Sequence, residues 1–416
     1  MSAGGMVTIA PGRAEGRAVA PPSKSMAHRW LIGSALAGGE SIIRRLATSE
    51  DMLATSDCLR ALGARVEGLE NGSCTVRGLD GKPQGMPGRE RHLYCRESGS
   101  TLRFLLPLCL LDGVRSVLHG TGRLLARPMG IYGELCRERG IFFEQNAETV
   151  TVCGRLTAGD YSMRGDVSSQ FITGLLFALP LLEGDSRIRL TTHLESRSYL
   201  DLTVDALRTF GIRVEFVGER EIFIPGGQRY RPVDATVEGD HSNAAFLGAL
   251  NAVGGNVAIE GLREDSLQGD RVWRTHMAAL AAGTPTVSLA DCPDLGPVLM
   301  AVAAAGQGAV FTDAARLKIK ESDRGAAMAA ELAAFGVKSE ISEDGSVIRV
   351  PGGMLRAPNR VLYGHNDHRI VMSLAVLCTL TGGSITDARA VAKSMPDFFE
   401  VLSSLGIRCE WKETKG

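Results

Sequence analysis

The stretch PPSKSMAHRWLIGSAL at residues 21–36, followed by ALGARVE at 61–67, contains the pattern that decides the fold. Small polar residues and Lys24 precede an apolar helical run, and Gly63 later separates a helix end from the alternating residues of a strand. Lys24 and Gly63 are 39 residues apart. This order predicts a compact unit of mixed helix and strand.

The same pattern occurs six times along the chain. Six glycines have the context of Gly63, with the weakest copy at Gly283: Gly63, Gly140, Gly211, Gly283, Gly336 and Gly406. Polar clusters precede them by 38 to 43 residues, around Lys24, Gly99, Ser168, Asp240, Asp294 and His368. Glycine after a helix is common in any α/β protein, but that alternative does not explain the constant offset. We therefore predict six homologous α/β units, three in each of two domains.

Composition restricts the classes of function. The 416 residues are 44% hydrophobic and 22% charged, which is typical of a globular protein with two domains. A formal charge of −1 lacks the basic excess of nucleic-acid-binding proteins, so we expect no nucleic-acid partner and only local clusters of cations.

The cysteines and the apolar segments predict a cytoplasmic protein. Nine cysteines without a C-x-x-C pair favour reduced thiols over a disulfide framework. The longest apolar run, residues 104–111, is shorter than the roughly 18 residues of a membrane span. The first residues lack the apolar core of a signal peptide, and we expect no membrane partner.

Cations recur where helices are predicted to begin, and a helix N-terminus favours bound anions. In PPSKSMAHR, Ser25 is a candidate cap and Arg29 lies one turn later on the same face. Arg127 precedes a proline suited to the first helical position. For each cluster taken alone, the alternative to an anion site is simple helix capping or a charged face exposed to solvent. If the cations converge on one site, two anionic ligands are needed to balance their charge. The cations concerned are Lys24, Arg127, Arg324, Arg369 and Lys393.

Two carboxylates among these cations, Asp294 and Glu321, are candidates for proton transfer, and structural ion pairing is the alternative. The chain lacks the P-loop, the GxGxxG turn and the HExxH motif. We therefore expect no cofactor and no metal.

The ordered motifs PPSKSMAHR, SGSTLR, ARPMG, DVSSQF, ESRSYLD, KIKESDR, NDHR and KSMPDFFEVL resemble the enolpyruvyl transferase family, most closely its members that use shikimate 3-phosphate. The resemblance covers roughly residues 20–400. It implies an inverse α/β fold of two similar domains, each with three βαβαββ units, and an active site in the interdomain cleft. The implied domains are residues 21–237, and residues 1–20 together with 238–416.

The resemblance implies transfer of the enolpyruvyl group from phosphoenolpyruvate to the 5-hydroxyl of shikimate 3-phosphate, through a tetrahedral intermediate and without a metal. The implied catalytic residues are Lys24, Asp294 and Glu321, and the implied supporting residues are Arg103 and His368. The implied shikimate 3-phosphate site is Lys24, Ser25, Arg29, Ser168, Ser169, Gln170, Ser196, Tyr199, Asp294 and Lys320. The implied phosphoenolpyruvate site is Lys24, Gly99, Arg127, Gln170, Arg324, Arg369 and Lys393.

The resemblance implies a monomeric enzyme whose partners are the two small substrates. Two alternative functions stay open at this point. One alternative is the sister transferase that acts on UDP-N-acetylglucosamine, which usually has a reactive cysteine before the Arg-Pro element. Residues 120–127 contain no cysteine. The other is a non-catalytic anion-binding repeat protein, for which carboxylates beside an anionic ligand bring no advantage. Arg316 stands where some relatives bind substrate through Asn, so it is left out of the site.

Overall fold

The computed structural model describes residues 5–83 and 88–412. The chain forms two compact units, which we call the first unit, residues 22–238, and the second unit, residues 1–21 with 239–416. The domain boundaries expected from the resemblance differ from these by one residue. Among the described residues, no helix is long and apolar enough to cross a membrane.

The first unit follows two strands that belong to the second, β1 (Met6–Ile9) and β2 (Glu15–Val19). Its described α-helices and strands, in chain order, are α1 (Lys24–Leu36), β3 (Glu40–Arg44), α2 (Glu50–Ala61), β4 (Arg65–Glu67), β5 (Ser73–Arg77), β6 (Arg91–Tyr94), α3 (Gly99–Cys109), β7 (Ser116–His119), α4 (Gly130–Glu138), β8 (Phe142–Gln145), β9 (Thr149–Cys153), β10 (Gly159–Met163), α5 (Ser169–Ala178), β11 (Ser186–Leu190), α6 (Arg197–Thr209), β12 (Glu215–Val217), β13 (Glu221–Ile224) and β14 (Asp234–Thr236).

Three four-stranded sheets of identical pattern make up the first unit. Their strand orders are β14-β3-β5-β4, β6-β7-β9-β8 and β10-β11-β13-β12. In each sheet the first pair is parallel and the other two pairs are antiparallel. The sheets are therefore three βαβαββ units, and β14 from the end of the unit supplies the first strand of the first one.

The second unit repeats the pattern with shorter strands. Its remaining described α-helices and strands are α7 (His241–Ala252), β15 (Asn256–Glu260), α8 (Trp273–Ala282), β16 (Thr286–Ser288), α9 (Gly296–Ala305), β17 (Gly308–Thr312), α10 (Arg324–Ala334), β18 (Glu340–Ile341), β19 (Ile348–Pro351), α11 (His368–Thr381), β20 (Gly383–Ile385), α12 (Phe398–Ser404) and β21 (Cys409–Lys412).

One sheet of the second unit, β16-β17-β19-β18, has the order seen three times in the first. The other two sheets depend on the chain start, because β2 pairs in parallel with β15 and β1 lies between β20 and β21. A parallel bridge from Leu362 to Ile385 adds one residue to the edge of the last sheet. The fold is thus the six-unit inverse α/β architecture that the resemblance implied.

The six predicted polar clusters lie at the starts of alternate helices: α1, α3, α5, α7, α9 and α11. These helices are buried over most of their surface, with Phe171 and Phe177 in α5 and Leu299 in α9 fully enclosed. A helix that is apolar on all sides belongs inside a core. Their N-termini are therefore held in place by packing along the whole helix.

The six repeat glycines follow the other helices, α2, α4, α6, α8, α10 and α12, as predicted. Five of them have a left-handed φ between 66° and 109°, which glycine adopts without a Cβ penalty. Gly283, in the weaker copy, has a φ of 167° and therefore an extended backbone.

Candidate functional site

Two clusters of charged and polar residues lie at these helix starts, one in each unit. The first-unit cluster comprises Lys24, Gly99, Ser100, Arg103, Arg127 and Gln170. The second-unit cluster comprises Asp294, Lys320, Glu321, Ser322, Arg324, Asp367 and Arg369.

The caps of the first-unit helices differ in detail from the predicted ones. Ser23, not Ser25, caps α1, because its extended backbone precedes the helix and its Oγ accepts from the Met26 N–H. Ser98 caps α3 in the same way. Pro128 is not at a first helical position, since α4 begins two residues later at Gly130. The predicted cap of α5, Ser168, accepts from the Gln170 N–H.

Gly99 allows two arginines to approach the start of α3. A Cβ at this position would lie 2.7 Å from Nη1 of Arg127 and 3.0 Å from Nη1 of Arg103. Distances below about 3 Å are essentially never seen for a real Cβ. The guanidinium groups therefore lie where any larger side chain would displace them, and both arginines are buried.

Gln170 connects α5 to this arginine pair. Its Oε1 accepts from Nη1 of Arg103 at 2.7 Å, and its Nε2 donates to Oγ of Ser100 at 3.0 Å. Arg103 also donates to the Pro128 carbonyl and lies over the Phe171 ring at 5.1 Å. The starts of α3 and α5 are thus joined by directed hydrogen bonds, which gives this part of the cluster a defined geometry.

Lys24 reaches a carboxylate that the sequence analysis did not single out. Its Nζ lies 3.0 Å from Oδ2 of Asp51, in the first turn of α2, and both side chains are more than four-fifths buried. A buried ammonium needs a partner of opposite charge, because removing an ion from water is costly. Asp51 holds Lys24 at the start of α1.

Arg29 lies behind the start of α1 and donates to three protein oxygens. Nε donates to Oγ1 of Thr203, Nη1 to the Ser25 carbonyl and Nη2 to the Tyr199 carbonyl, all within 2.9 Å. Burial lowers the pKa of Arg29 to about 10. Arg29 thereby joins α1 to α6, and its predicted contact with substrate stays a prediction.

The remaining predicted residues of the first unit border the same helices. Ser169 is buried in the first turn of α5. Ser196 is buried just before α6 with a left-handed φ of 55°, and Tyr199 is half-buried in the first turn of that helix. A non-glycine residue in this conformation costs about 1 kcal/mol or more and is held by its surroundings.

Arg324 is the centre of the second-unit cluster and contacts three carboxylates. Its Nη1 lies 2.8 Å from Asp294, its Nη2 2.6 Å from Glu321 and its Nε 2.8 Å from Asp367. Burial lowers the pKa of Arg324, but these carboxylates raise it more strongly, and the net pKa is above its usual value. The guanidinium therefore stays charged and fixes all three acids.

Asp294 is surrounded by cations. Lys320 lies 3.1 Å from Oδ1, and Arg369 lies 3.2 Å from Oδ2. Burial raises the pKa of Asp294, but Arg369, Lys320 and Arg324 lower it further, and the result is well below the normal range. Asp294 is thus a carboxylate at neutral pH, ready to accept a hydrogen bond or a proton but intrinsically a weak base.

Lys320 has the opposite response to burial. Burial lowers the pKa of Lys320 to about 8. The neighbouring Arg316 and Arg324 also lower this pKa, whereas Asp294 raises it. Arg316 itself donates to the Ala290 carbonyl at 3.3 Å. Lys320 therefore titrates close to neutral pH, and it can lose its proton where an ordinary lysine cannot.

Two more predicted residues, His368 and Arg369, lie at the start of α11, and Lys393 lies in a later segment. Asp367 caps the helix and accepts from the Arg369 N–H and from Oγ of Ser322 at 3.0 Å each. His368 is buried beside Asp367, with Nδ1 3.8 Å from Oδ1. Lys393, at the end of a short 3₁₀ helix, donates from Nζ to the Asn366 carbonyl at 2.5 Å.

Asp51 and Asp367, the acids that hold Lys24 and Arg324, were not predicted from the sequence. Asp367 carried a usable signal, because an acid directly before a predicted helix start is a typical cap. Asp51 lies in the first turn of a different helix, α2, and its sequence context does not indicate that it meets Lys24. Among the described residues, no group of three or more His, Cys, Asp or Glu side chains is arranged to hold a metal ion.

Each cluster forms within its own unit, and the expectation that both face one interdomain cleft stays a prediction of the resemblance.

All nine cysteines are free thiols, and seven of them are buried. Seven buried thiols are typical of cysteines that act as small core residues.

Comparison with known proteins finds a matching family model and relatives that align over almost the full length of the chain. A family model described as EPSP synthase (3-phosphoshikimate 1-carboxyvinyltransferase) matches residues 9–402. A 3-phosphoshikimate 1-carboxyvinyltransferase of Clostridium kluyveri is 39% identical over 431 residues, covering 98% of this chain and 99% of the relative. The protein of that name from Clostridioides difficile is 38% identical over 442 residues, covering 99% and 100%.

Solved structures agree in fold. EPSP synthase from Acinetobacter baumannii superposes with a TM-score of 0.79 at 25% identity, covering 98% of this chain and 100% of that one. The enolpyruvyl transferase NikO from Streptomyces tendae shares the fold, with a TM-score of 0.76 at 16% identity over the full length of both chains.

Proposed function

The chain belongs to the EPSP synthase family, and from that premise we infer that it transfers the enolpyruvyl group of phosphoenolpyruvate to the 5-hydroxyl of shikimate 3-phosphate. Phosphate is the second product. This is the step of the shikimate pathway that leads towards chorismate and the aromatic amino acids. The names of the full-length relatives support this reaction, and the chemistry of the two clusters is suited to it.

The reaction consists of an addition and an elimination. The 5-hydroxyl oxygen forms a bond to C2 of phosphoenolpyruvate, its proton leaves to a base, and C3 accepts a proton from an acid. The resulting tetrahedral intermediate then loses a proton from C3, the C2=C3 double bond forms again, and the bond from C2 to the phosphate oxygen breaks. The departing phosphate takes up the proton that the 5-hydroxyl lost, so the base is restored. The reaction has no net oxidation and no net change in protons.

The second-unit cluster is proposed to move the protons. Asp294 accepts the hydroxyl proton, with Lys320 beside it at 3.1 Å, and Glu321 protonates C3 and later takes one proton back. Arg324 holds Asp294 and Glu321 on one guanidinium, so their separation is fixed before substrate binds. His368 is proposed to support the start of α11.

The first-unit cluster is proposed to bind negative charge. Lys24 assists the departure of phosphate, and Gly99, Arg127 and Gln170 hold phosphoenolpyruvate. Arg324, Arg369 and Lys393 are proposed to bind the same substrate. Shikimate 3-phosphate is proposed to contact Lys24, Ser25, Arg29, Ser168, Ser169, Gln170, Ser196, Tyr199, Asp294 and Lys320.

The observation that carries the mechanism is the arrangement around Arg324 and Asp294. A protein that only bound anions would have little use for three buried or nearly buried carboxylates among its cations, because they repel the ligand. A proton-transfer centre needs carboxylates whose protonation is set by neighbouring cations. The Asp294, Lys320, Glu321 and Arg324 contacts have that character.

The test is a phosphate-release assay with phosphoenolpyruvate and shikimate 3-phosphate, in parallel with UDP-N-acetylglucosamine as acceptor. We expect phosphate and the enolpyruvyl product only with shikimate 3-phosphate, and undiminished turnover in the presence of a metal chelator. Turnover with the nucleotide sugar alone would replace the proposed acceptor. Tight substrate binding without any phosphate release would identify a non-catalytic anion-binding protein.

We also propose that the protein works as a monomer in the cytoplasm, on these two small molecules and without a cofactor. The unpaired cysteines support a reducing compartment. Light scattering coupled to size-exclusion chromatography tests the monomer, and a mass corresponding to a dimer at micromolar concentration would contradict it.

A further inference from the structure

Glu331 is a buried carboxylate that the proposed mechanism does not use. It lies in α10, seven residues after Arg324 and therefore on the same face of the helix, and 2% of the residue is exposed. Its partners all come from the segment 360–365, which precedes the start of α11. A buried acid with this many directed contacts has a specific task, since an unpaired one would be costly.

Four hydrogen bonds attach that segment to Glu331. Arg360 donates from Nη1 and Nη2 at 2.8 Å and 3.1 Å, and the Tyr363 N–H donates to Oε2 at 3.0 Å. Nε2 of His365 lies 3.2 Å from Oε1, and because a carboxylate only accepts, that nitrogen carries the proton. The segment is thus fixed to α10 through backbone and side chains together.

The next residues depend on this attachment. His365 and Asn366 both have left-handed backbones, with φ of 53° and 48°, and two such non-glycine residues in succession must be held by their surroundings. On the other side, the Asn366 N–H donates to Oδ2 of Asp387 at 3.0 Å. The turn therefore lies between two carboxylates, Glu331 and Asp387.

The turn presents one backbone carbonyl to Lys393. The Asn366 carbonyl accepts from Nζ of Lys393 at 2.5 Å, and Asp367 follows it with its contacts to Arg324. Because a strained turn has few alternative positions, a shift at His365 moves the Asn366 carbonyl and the ammonium bonded to it. Arg324 and Glu331 thereby hold the two ends of the same segment from one helix.

We propose that Glu331 is a positioning residue that places the Asn366 carbonyl and through it the Lys393 ammonium, and so sets the affinity for phosphoenolpyruvate. The inference rests on the proposed role of Lys393 in binding that substrate. Burial raises the pKa of Glu331, but the hydrogen bonds from His365 and Arg360 lower it more, so the residue is a carboxylate at neutral pH.

The first experiment compares Glu331→Gln with Glu331→Asp and with the control Glu340→Gln, an exposed carboxylate of β18 in the same unit. The amide of Glu331→Gln weakens the charged contacts to Arg360 and His365. Outer contacts that orient metal ligands are worth roughly 10-fold to 100-fold in affinity or activity, and we expect the loss here to be at the low end of that range. We expect the KM for phosphoenolpyruvate to rise about 10-fold, while the KM for shikimate 3-phosphate changes less than about 2-fold. Glu331→Asp, which keeps the charge, recovers part of the loss.

A merely structural Glu331 gives a different result. Loss of folded protein lowers the apparent kcat and the melting temperature but leaves both KM values unchanged, and that outcome overturns the proposal. An equal rise in both KM values overturns it too, since it reports a general distortion of the protein.

Hydrogen exchange tests the same inference without turnover, so a failure of the proposed function stays distinguishable. In Glu331→Gln, or in Glu331→Asp if the former does not fold, peptides covering residues 360–369 should exchange faster while α10 keeps its protection. Unchanged exchange in 360–369, or equal loss of protection throughout α10, contradicts the positioning role even if the wild type proves inactive with both substrates.

Discussion

The two clusters use their arginines differently. In the first unit, Arg103 of the cluster and Arg29 behind the start of α1 donate to hydroxyl, amide and carbonyl oxygens, which are neutral. In the second unit, Arg324 donates to three carboxylates and Arg369 to one of the same three. Neutral acceptors orient a guanidinium without offsetting its charge, whereas carboxylates hold it in a charge network.

This difference predicts a division of function between the two clusters, although the units that contain them share one architecture. The first-unit cluster is suited to binding anions, so changes there should act mainly on KM. The second-unit cluster also contains acids whose protonation depends on their neighbours, so changes to these acids should act mainly on kcat. Four predictions test this division, from the largest expected effect to the smallest.

Removing either proposed proton-transfer acid should have the largest effect. We expect Asp294→Ala and Glu321→Gln each to lower kcat by about 100-fold to 1,000-fold, because each loses a group proposed to transfer a proton in the transition state. The protein should stay folded, since Arg324 keeps its contact with Asp367 in both variants. Phosphate release measures the loss, and circular dichroism reports the fold.

The matched control is Asp291→Ala, which removes an exposed acid three residues from Asp294. It should retain wild-type turnover. A near-wild-type rate in Asp294→Ala or Glu321→Gln would remove that residue from the mechanism and weaken the contrast between the clusters.

Enlarging Gly99 tests the first-unit cluster. Gly99→Ala places a Cβ 2.7 Å from Nη1 of Arg127 and must displace that side chain. We expect the KM for phosphoenolpyruvate to rise about 10-fold, a loss of roughly 1.4 kcal/mol in binding, with a smaller effect on kcat. Steady-state kinetics at saturating shikimate 3-phosphate measures both constants.

Gly130→Ala is the control for this variant, because Gly130 begins α4 and a Cβ there meets nothing within 4 Å. It should leave both constants unchanged. If Gly99→Ala lowered kcat and left KM unaltered, the first-unit cluster would belong to the chemical step, and the proposed division would be wrong.

The pH dependence of substrate binding should reveal Lys320. Its pKa of about 8 means that the ammonium is charged below this pH and becomes neutral above it. Because a neutral amine no longer attracts the phosphate or the ring hydroxyls, we expect the KM for shikimate 3-phosphate to rise as the pH increases from 7 to 9. Lys320→Arg stays charged over this range, so its KM should change less.

The lowered pKa of Lys320 also affects stability. Whereas substrate binding should weaken as the pH rises, the free energy of unfolding should increase. An unfolded lysine keeps its proton to about pH 10.4, so between pH 8 and that value the unfolded chain binds more protons at this position. The contribution of Lys320 to the free energy of unfolding should therefore increase with pH over this interval. A KM that is flat from pH 7 to 9 in the wild type would argue against a low pKa at Lys320.

Replacing Arg29 should have the smallest effect on activity. Arg29→Lys keeps one charge but cannot make three directed hydrogen bonds, and we expect it to lower the free energy of unfolding by about 2 kcal/mol. The exposed Arg208→Lys serves as the control, and urea denaturation measures both. A large rise in the KM for shikimate 3-phosphate with unchanged stability would contradict this prediction, because it would make the proposed substrate contact of Arg29 more important than its hydrogen bonds between α1 and α6.

Much of the fold was predictable from local patterns. A capped polar start, an apolar run and a left-handed glycine are short-range signals, and they placed helix starts at Lys24, Gly99, Ser169, His241 and His368 within a residue or two. The exact caps were less predictable, because Ser23 and Ser25 have equal chemistry and differ only in backbone angle. The copy around Gly283 was the weakest in sequence, and it departs from the common turn in structure.

The sequence by itself determined the six repeats, the buried helices and the presence of cations at their starts, because these depend on neighbours within a few turns of the chain. Only the tertiary structure decided which acid holds which cation. Asp51 meets Lys24 from 27 residues away, and Asp367 and Glu331 approach Arg324 and Arg360 across 43 and 29 residues. Contacts of this kind arise when helices pack side by side, and no local pattern in the sequence specifies them.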